Sequence, residues 1–452
     1  MKAKNIIIIG MGTASAGAAA AVNHTNPSAE VSIIEKRGTE MYSLCGMPFA
    51  FEERVGFESL THDFPARGPK TTVYLNTEVV QINTSKQEAL IQNQKGQKIL
   101  KYDSIIIATG AQPVIPPIKN TEPFLGRSAH SLYSLEEVTQ LYKTKRQIGK
   151  VAIIGAGAIG IEFAVAIKQQ GVEVIIAEMM SHVFPNALDK DMARLVQEYV
   201  ERNGITVLTN ARVSEAIGND TVEGISIDEE KHKADSILFA CGIIPNIEWI
   251  KGFGLSYNKN GIITNNRMMT NVKGIYAAGD CVETYNAVTK KRCGSALAVP
   301  AIKQGRVAGI NAAGGRAIYN GTLNTFISVF GDYAVGSAGI TSEQAKDEGY
   351  ELVAQKIKGY HKPNWYPGYK DLIVKLIADK KGKLLGGQVF GEKGAVKNRI
   401  DIISSYLSTK STLQDMIRGE LAYCPDISDI PDPLTTAVDF MLRRVKQYHE
   451  RR

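Results

Sequence analysis

The sequence has no uninterrupted apolar run of the roughly 18 residues a bilayer-spanning helix needs, so no membrane span is expected. It has no CxxC pair. Its five cysteines (Cys45, Cys241, Cys281, Cys293 and Cys424) are scattered, so zinc and iron–sulfur sites lack their usual local signature and no metal is expected. The formal net charge is only +7, and the lysines are dispersed rather than gathered with aromatics, which argues against nucleic acid. The densest basic stretch runs from Arg443-Arg444-Val445-Lys446 to Arg451-Arg452 and reads as a solvated helix end, with steering of anionic substrates as the lesser reading. Met1-Lys2-Ala3-Lys4 leads straight into a strand, leaving no room for a signal peptide. With scattered thiols, that points to a reducing, cytoplasmic setting. There is no low-complexity segment and no short-period repeat.

What the chain does have is a duplicated pattern. Ile6-Ile7-Ile8-Ile9 runs into Gly10-Met11-Gly12-Thr13-Ala14-Ser15 and an alanine-rich helix. Val151-Ala152-Ile153-Ile154 runs into Gly155-Ala156-Gly157-Ala158-Ile159-Gly160 and a second helix. Strand before and helix after give each copy the context of a dinucleotide fingerprint. The first glycine makes the tight turn, the second admits a pyrophosphate, and the third allows close helix–strand packing. Phosphates sit on the positive helix N-terminus. Ser15 takes the third position of the first copy and is small enough for the same packing.

Each unit also supplies an acid at the end of its next strand: Glu35 after Val31-Ser32-Ile33-Ile34, and Glu178 after Val172 to Ala177. A carboxylate there accepts hydrogen bonds from ribose hydroxyls and repels a 2′-phosphate. Glu178 is followed by Met179-Met180 with no nearby arginine or lysine, which favours NADH over NADPH. Cys45 stands just after the first unit, in Ser43-Leu44-Cys45-Gly46-Met47-Pro48-Phe49. Two dinucleotide sites and one thiol read as an electron path from nicotinamide to flavin to sulfur. Cys241 and Cys281 read as small buried fillers.

The order of segments is that of one domain interrupted by another. The strand Tyr102 to Ala108 ends in Thr109-Gly110 and is followed by Pro113, Pro116 and Pro117. The second unit runs to Pro245-Asn246, and Gly274 to Asp280 returns to strand character. From about Gly321 the pattern turns to strands and helices without glycine fingerprints. The expected fold is α/β: two Rossmann-like domains, for FAD over 1–112 with 247–322 and for NAD(H) over 113–246, then an α+β domain over 323–452.

With these residues in place, the chain resembles the FAD-dependent pyridine nucleotide-disulfide oxidoreductases over essentially its whole length, in their single-cysteine branch. That branch holds coenzyme A-disulfide reductases, NADH oxidases and NADH peroxidases. The resemblance implies that Ala108-Thr109-Gly110 and Ala278-Gly279-Asp280 are flavin-contact turns, with Asp280 on the ribityl or pyrophosphate part of FAD. It places Lys36, Val79, Leu297 and Ala298 beside FAD and makes Glu162, two residues after the second fingerprint, part of the NAD(H) site, and it makes the last third a dimerisation domain that includes Arg399-Ile400-Asp401.

Two-cysteine members carry CxxxxC, and here the residue five after Cys45 is Ala50, so no internal redox disulfide can form there. Pro48 suits a helix first turn, so Cys45 is expected to feel a helix dipole that favours thiolate. Such a thiolate attacks disulfides; the alternative is a peroxide-formed sulfenic acid. Thr13 stands where the branch's oxidases and peroxidases carry histidine, which argues against peroxide chemistry. Cys45-Gly46-Met47-Pro48-Phe49 resembles the pattern of coenzyme A-disulfide reductases. Ala158 replaces an aromatic gate over the nicotinamide, and Asn23-His24 replaces an arginine of those reductases, so the pocket is expected to be more open and to accept other thiols.

Tyr366 and Tyr423 resemble tyrosines brought over the other subunit's cysteine, where they would donate to a leaving thiolate. Cys424 falls where two-cysteine members place a catalytic histidine, which would let it face Cys45 of the other subunit; the plainer alternative is core packing. The resulting expectation is a homodimeric enzyme passing electrons from NADH through FAD to Cys45 and a small disulfide, persulfide or polysulfide. An NADH oxidase or peroxidase is the first alternative, and an NADH-sensing flavoprotein without turnover the second.

Overall fold

The computed structural model describes residues 4–450; Met1–Ala3 and Arg451-Arg452 of the basic C-terminal stretch lie outside the described residues. The chain divides into two compact units. The first comprises Met1–Val114, Ile243–Asn286 and Lys290–Thr322; the second comprises Ile115–Gly242, Ala287–Thr289 and Leu323–Arg452.

The first unit is built on a five-stranded sheet in the order Ile275–Ala277, Ser104–Ile107, Asn5–Ile9, Glu30–Ile34, Thr71–Tyr74. All four pairings are parallel. Such a sheet is covered on both faces, so its strands read as continuous apolar runs rather than alternating ones; Ile6, Ile7, Ile8, Ile105, Ile106 and Ile107 are all buried. The alanine-rich helix Thr13–Thr25 packs against Ala298–Ala312. Their backbones nearly touch: a Cβ on Gly305 would lie 2.0 Å from the Ala14 carbonyl oxygen, and one on Gly309 2.3 Å from that of Ala18. That closeness explains the small residues of both helices. A three-stranded meander, Glu78–Asn83, Glu88–Asn93 and Gly96–Lys101, belongs to the same unit.

Two hydrophobic clusters of the second unit underlie its sheets. One belongs to a second parallel sheet, in the order Ala129–His130, Ser236–Phe239, Lys150–Ile154, Glu173–Glu178, Thr206–Thr209. The other lies under a five-stranded antiparallel sheet in the order Phe326–Phe330, Tyr333–Gly339, Leu384–Glu392, Asp371–Asp379, Leu352–Tyr360. The helices Lys393–Ser408 and Pro433–Glu450 pack on this sheet. The expected α/β class, with two Rossmann-like sheets and a C-terminal α+β part, is the observed one. No helix among the described residues is long and apolar enough to cross a membrane.

Candidate flavin, nicotinamide and thiol sites

Each fingerprint is shaped by backbone approach. Gly10 has φ +101°, and a Cβ there would stand 2.3 Å from the Ala108 carbonyl oxygen. Gly155 has φ +103°, with its imagined Cβ 2.4 Å from the Ala240 carbonyl oxygen. Only glycine fits either place. The middle glycines differ: a Cβ on Gly12 or Gly157 meets nothing within 4 Å. Both are helix N-caps without a side-chain capping bond, so the first N–H groups of each helix face open space. That is the cradle a pyrophosphate fills, and the residues fit two dinucleotides.

The third positions solve the same packing problem in two ways. A Cβ on Gly160 would lie 2.1 Å from the Gly155 carbonyl oxygen. At the equivalent point Ser15 is fully buried, and its hydroxyl donates to the Gly10 carbonyl at 2.7 Å. The serine turns the close approach into a hydrogen bond.

Both acids are buried and held. Glu35 accepts from the Arg37 backbone N–H and from its guanidinium, each at 2.9 Å, and Arg37 stacks 4.7 Å above the Tyr42 ring. Burial pulls the Arg37 pKa down, but the Glu35 contacts more than offset this and it stands above its ordinary value. Arg37 is a clamp that the sequence reading missed; its only signal is its place two residues after the acid. Glu178 accepts from the N–H groups of Ala156 and Met180, both at 2.8 Å. It therefore ties its strand end to the glycine loop itself. Met179 and Met180 are exposed beside it, at 68% and 49%.

Around the expected flavin ribityl, Gly279 (φ +88°) donates to Gln304 Oε1 at 2.8 Å. Burial pushes the adjacent Asp280 up to about 6. A buried carboxylate of that kind suits hydroxyl donors, as a ribityl chain offers. Thr109 donates to the Asn246 carbonyl at 3.0 Å, and Gly110 turns at φ +64°. Leu297 caps the helix Ala298–Ala312 without a side-chain bond, and just ahead of it the Ser295 hydroxyl is buried without a hydrogen-bond partner. Lys36 pairs with Glu78 at 2.8 Å on the surface, next to half-buried Val79. Glu162, on the helix Ala158–Gln169, accepts from the Ser328 hydroxyl at 2.8 Å. Half-buried Ala158 is followed by Ile159, which is 41% exposed.

Cys45 is exposed and lies in the 3₁₀ turn Leu44–Gly46. The helix after it, Met47–Phe51 with Pro48 in its first turn, is only five residues long. The expected helix dipole therefore has little length to act through. Ala50, where a second redox cysteine would stand, is buried. Cys281 is buried as expected, whereas Cys241 is only half-buried, its thiol donating to the Ile154 carbonyl at 3.3 Å. Burial raises Cys241, Cys281 and Cys293 to about 11.

In the C-terminal part, Tyr366 is held above its ordinary pKa by a hydrogen bond to Asp426, with Cys424 close enough to add to the effect. Lys362 lies 3.7 Å from Asp426 and 4.6 Å above the Tyr366 ring. Tyr423 and Cys424 are exposed, so neither is core filler of this chain. Arg399 pairs with Asp432 in the interior. Asp401 pairs with Lys397 at the surface.

These features define a two-nucleotide flavoprotein with an exposed cysteine in the turn Leu44–Gly46. Residues 4–305 match the pyridine nucleotide-disulphide oxidoreductase family, and residues 325–433 match that family's dimerisation domain. The chain belongs to this family and is an oxidoreductase that uses FAD and NAD(P)H. It is similar to an NADH oxidase of Methanocaldococcus jannaschii, at 31% identity over 97% of this chain and 99% of that protein. It is equally similar, at 31% identity over 95% of this chain and 96% of the other, to an NAD(P)H sulfur oxidoreductase (CoA-dependent) of Pyrococcus abyssi. Among solved structures, an NAD-dependent persulfide reductase from A. fulgidus superposes with a TM-score of 0.92 at 30% identity, over 98% of this chain and 84% of that one.

Proposed function

We propose that this enzyme takes electrons from NADH and delivers them through Cys45 to a low-molecular-weight disulfide, persulfide or polysulfide. The observation that carries the reading is the contrast among thiols. Cys45 is exposed in the turn Leu44–Gly46, the residue five positions after it is Ala50 rather than a second cysteine, and it is accompanied by three thiols that burial keeps protonated. The sulfur oxidoreductase and persulfide reductase relatives support the substrate class. Bound FAD would supply the two electrons that NADH delivers as hydride. Gly10, Gly12, Ser15, Glu35 and Asp280 would hold it; Gly155, Gly157, Gly160, Glu162 and Glu178 would hold NADH. The buried Glu178 and uncharged Met179-Met180 favour NADH over NADPH.

In the sulfur half-reaction the Cys45 thiolate attacks one sulfur of the substrate. One bond forms to Cys45, the substrate S–S bond breaks, and the second sulfur leaves as a thiolate. Two electrons and a proton then release the other thiol and restore Cys45. Across a homodimer, Tyr366, kept protonated by Asp426, and Tyr423 would donate to the leaving sulfur. Exposed Cys424 would be positioned to resolve the mixed disulfide with the partner subunit's Cys45. A second reading, NADH oxidase, is favoured by the Methanocaldococcus relative.

The experiment is NADH consumption with coenzyme A disulfide, cystine, glutathione disulfide, polysulfide, peroxide and oxygen. It is run on the native enzyme, Cys45→Ser and Cys424→Ala. Cys45→Ser is expected to keep FAD and flavin reduction by NADH but to lose sulfur turnover. Wild-type turnover by the serine variant refutes the role of Cys45, and unchanged kinetics of Cys424→Ala on every acceptor refutes that of Cys424. Turnover with oxygen alone favours the oxidase.

A further inference from the structure

The antiparallel sheet of the dimerisation domain reaches the nucleotide fingerprint of its own chain through one edge strand. Ser328 lies in Phe326–Phe330, the outermost strand of that sheet, and is fully buried. Its hydroxyl donates to Glu162 Oε1 at 2.8 Å, across 166 positions of sequence. Two residues earlier, on the same face of the strand, the Phe326 ring stacks on Phe184 at 5.9 Å. Phe184 in turn donates its backbone N–H to the Ala156 carbonyl, inside the fingerprint, at 2.9 Å.

We infer that Ser328 is a positioning residue for NAD(H) binding, acting through Glu162; this rests on the reading that Glu162 is one of the residues that hold NADH. A hydroxyl that donates to one carboxylate oxygen fixes the rotamer of the carboxylate, because a buried donor to a charged acceptor is among the stronger hydrogen bonds. The fixed carboxylate presents its acceptor lone pairs in one direction, as a hydrogen-bond donor on the nucleotide requires. The dimerisation domain thereby sets the affinity of a site whose glycines belong to a different sheet.

The test measures NAD+ binding by calorimetry, alongside the KM for NADH and the rate of flavin reduction at saturating NADH. The variants are Ser328→Ala, Ser328→Thr and Glu162→Gln, and the Ser328→Ala/Glu162→Gln double variant. Thermal melting reports folding. Ser328→Cys, which keeps the volume but donates weakly, replaces the alanine variant if that fails to fold. Expected are a rise of about tenfold in the NAD+ Kd and NADH KM of Ser328→Ala, little change in the saturated rate, recovery in Ser328→Thr, and no further loss in the double variant. A Glu162→Gln variant that loses NAD+ affinity while Ser328→Ala does not overturns the inference and leaves the role of Glu162 standing. Equal losses from Ser328→Ala with and without Glu162→Gln also overturn it, because the serine then acts elsewhere. If neither variant moves NAD+ binding, the role of Glu162 and the inference fall together.

Discussion

Changing Gly157 to alanine separates what the fold needs from what the nucleotide needs. The backbone at Gly157 is extended, φ −77° and ψ −170°, a conformation alanine adopts freely. An added Cβ meets nothing within 4 Å. Alanine is the poorer N-cap, a cost of roughly 0.5–1 kcal/mol. It also restricts the unfolded chain, a gain of roughly 0.4–1 kcal/mol. The two nearly cancel, so the melting temperature is expected to stay within about 3 °C of the parent. The methyl group, however, fills the space through which the backbone meets a pyrophosphate. Displacing charge-assisted contacts at two N–H groups costs about 3 kcal/mol or more, a loss of at least about 100-fold in nucleotide affinity. Gly155→Ala is the control: at φ +103° and 2.4 Å from the Ala240 carbonyl oxygen it is expected to destabilise by roughly 3 kcal/mol or more. Differential scanning fluorimetry reads the fold and NAD+ calorimetry reads the site. A Gly157→Ala protein that melts as low as Gly155→Ala, or that binds NAD+ like the parent, refutes the reasoning.

Two further outcomes follow from the acids. Asp280 has a folded pKa raised from 3.8 to about 6, so its contribution to apoprotein stability is present below pH 3.8 and is lost as pH rises through 6. If Asp280 holds FAD as proposed, hydroxyl donors of the ribityl chain return it toward its ordinary value, and binding releases a proton. FAD affinity is expected to be about tenfold weaker at pH 5 than at pH 7, and a titration of Asp280→Asn that keeps this pH dependence assigns it elsewhere. Glu178→Ser with Met179→Arg is expected to move preference toward NADPH and, by orphaning the Ala156 N–H, to destabilise by about 1–3 kcal/mol; a parent enzyme preferring NADPH by tenfold already sinks that argument.

Much of this was legible in the chain because its causes are local. A strand, a glycine turn and a helix are neighbours in sequence, so Gly10, Gly12, Gly155 and Gly157 announce both cradles, and the acids lie one strand further on. The length of the helix after Cys45 was not legible. It ends at Phe51; just beyond, Glu53 takes a left-handed φ of 63°, and Arg54 donates back to the Phe49 carbonyl. Phe51-Glu52-Glu53-Arg54 contains no glycine or asparagine to announce that stop. Nor was the Ser328–Glu162 contact legible, since no periodicity links residues 166 apart. The buried Lys375 was equally hidden. It reads as an ordinary strand lysine, yet it pairs with Asp189 at 2.8 Å and Asp191 at 2.6 Å.

The distribution of thiols carries a consequence for sulfur chemistry. Thiol–disulfide exchange proceeds through thiolate, and any reactive cysteine on a disulfide reductase is open to trapping by its own substrate. At about 11, only about one molecule in 10⁴ of each buried thiol is ionised at pH 7, against about 3% for an ordinary cysteine. That is a suppression of roughly 300-fold, before the loss of access that burial adds. Cys281 gains it from full enclosure behind the first sheet, Cys241 from partial burial near Glu178, and Cys293 from half-burial near Glu283. Cys45 and Cys424 alone of the five are exposed. The fold thus insulates three thiols in place and confines exchange to two, one on the flavin-binding unit and one among the tyrosines of the dimerisation domain. That is the arrangement a reductase needs if its substrate is to meet only the thiols that take part in exchange.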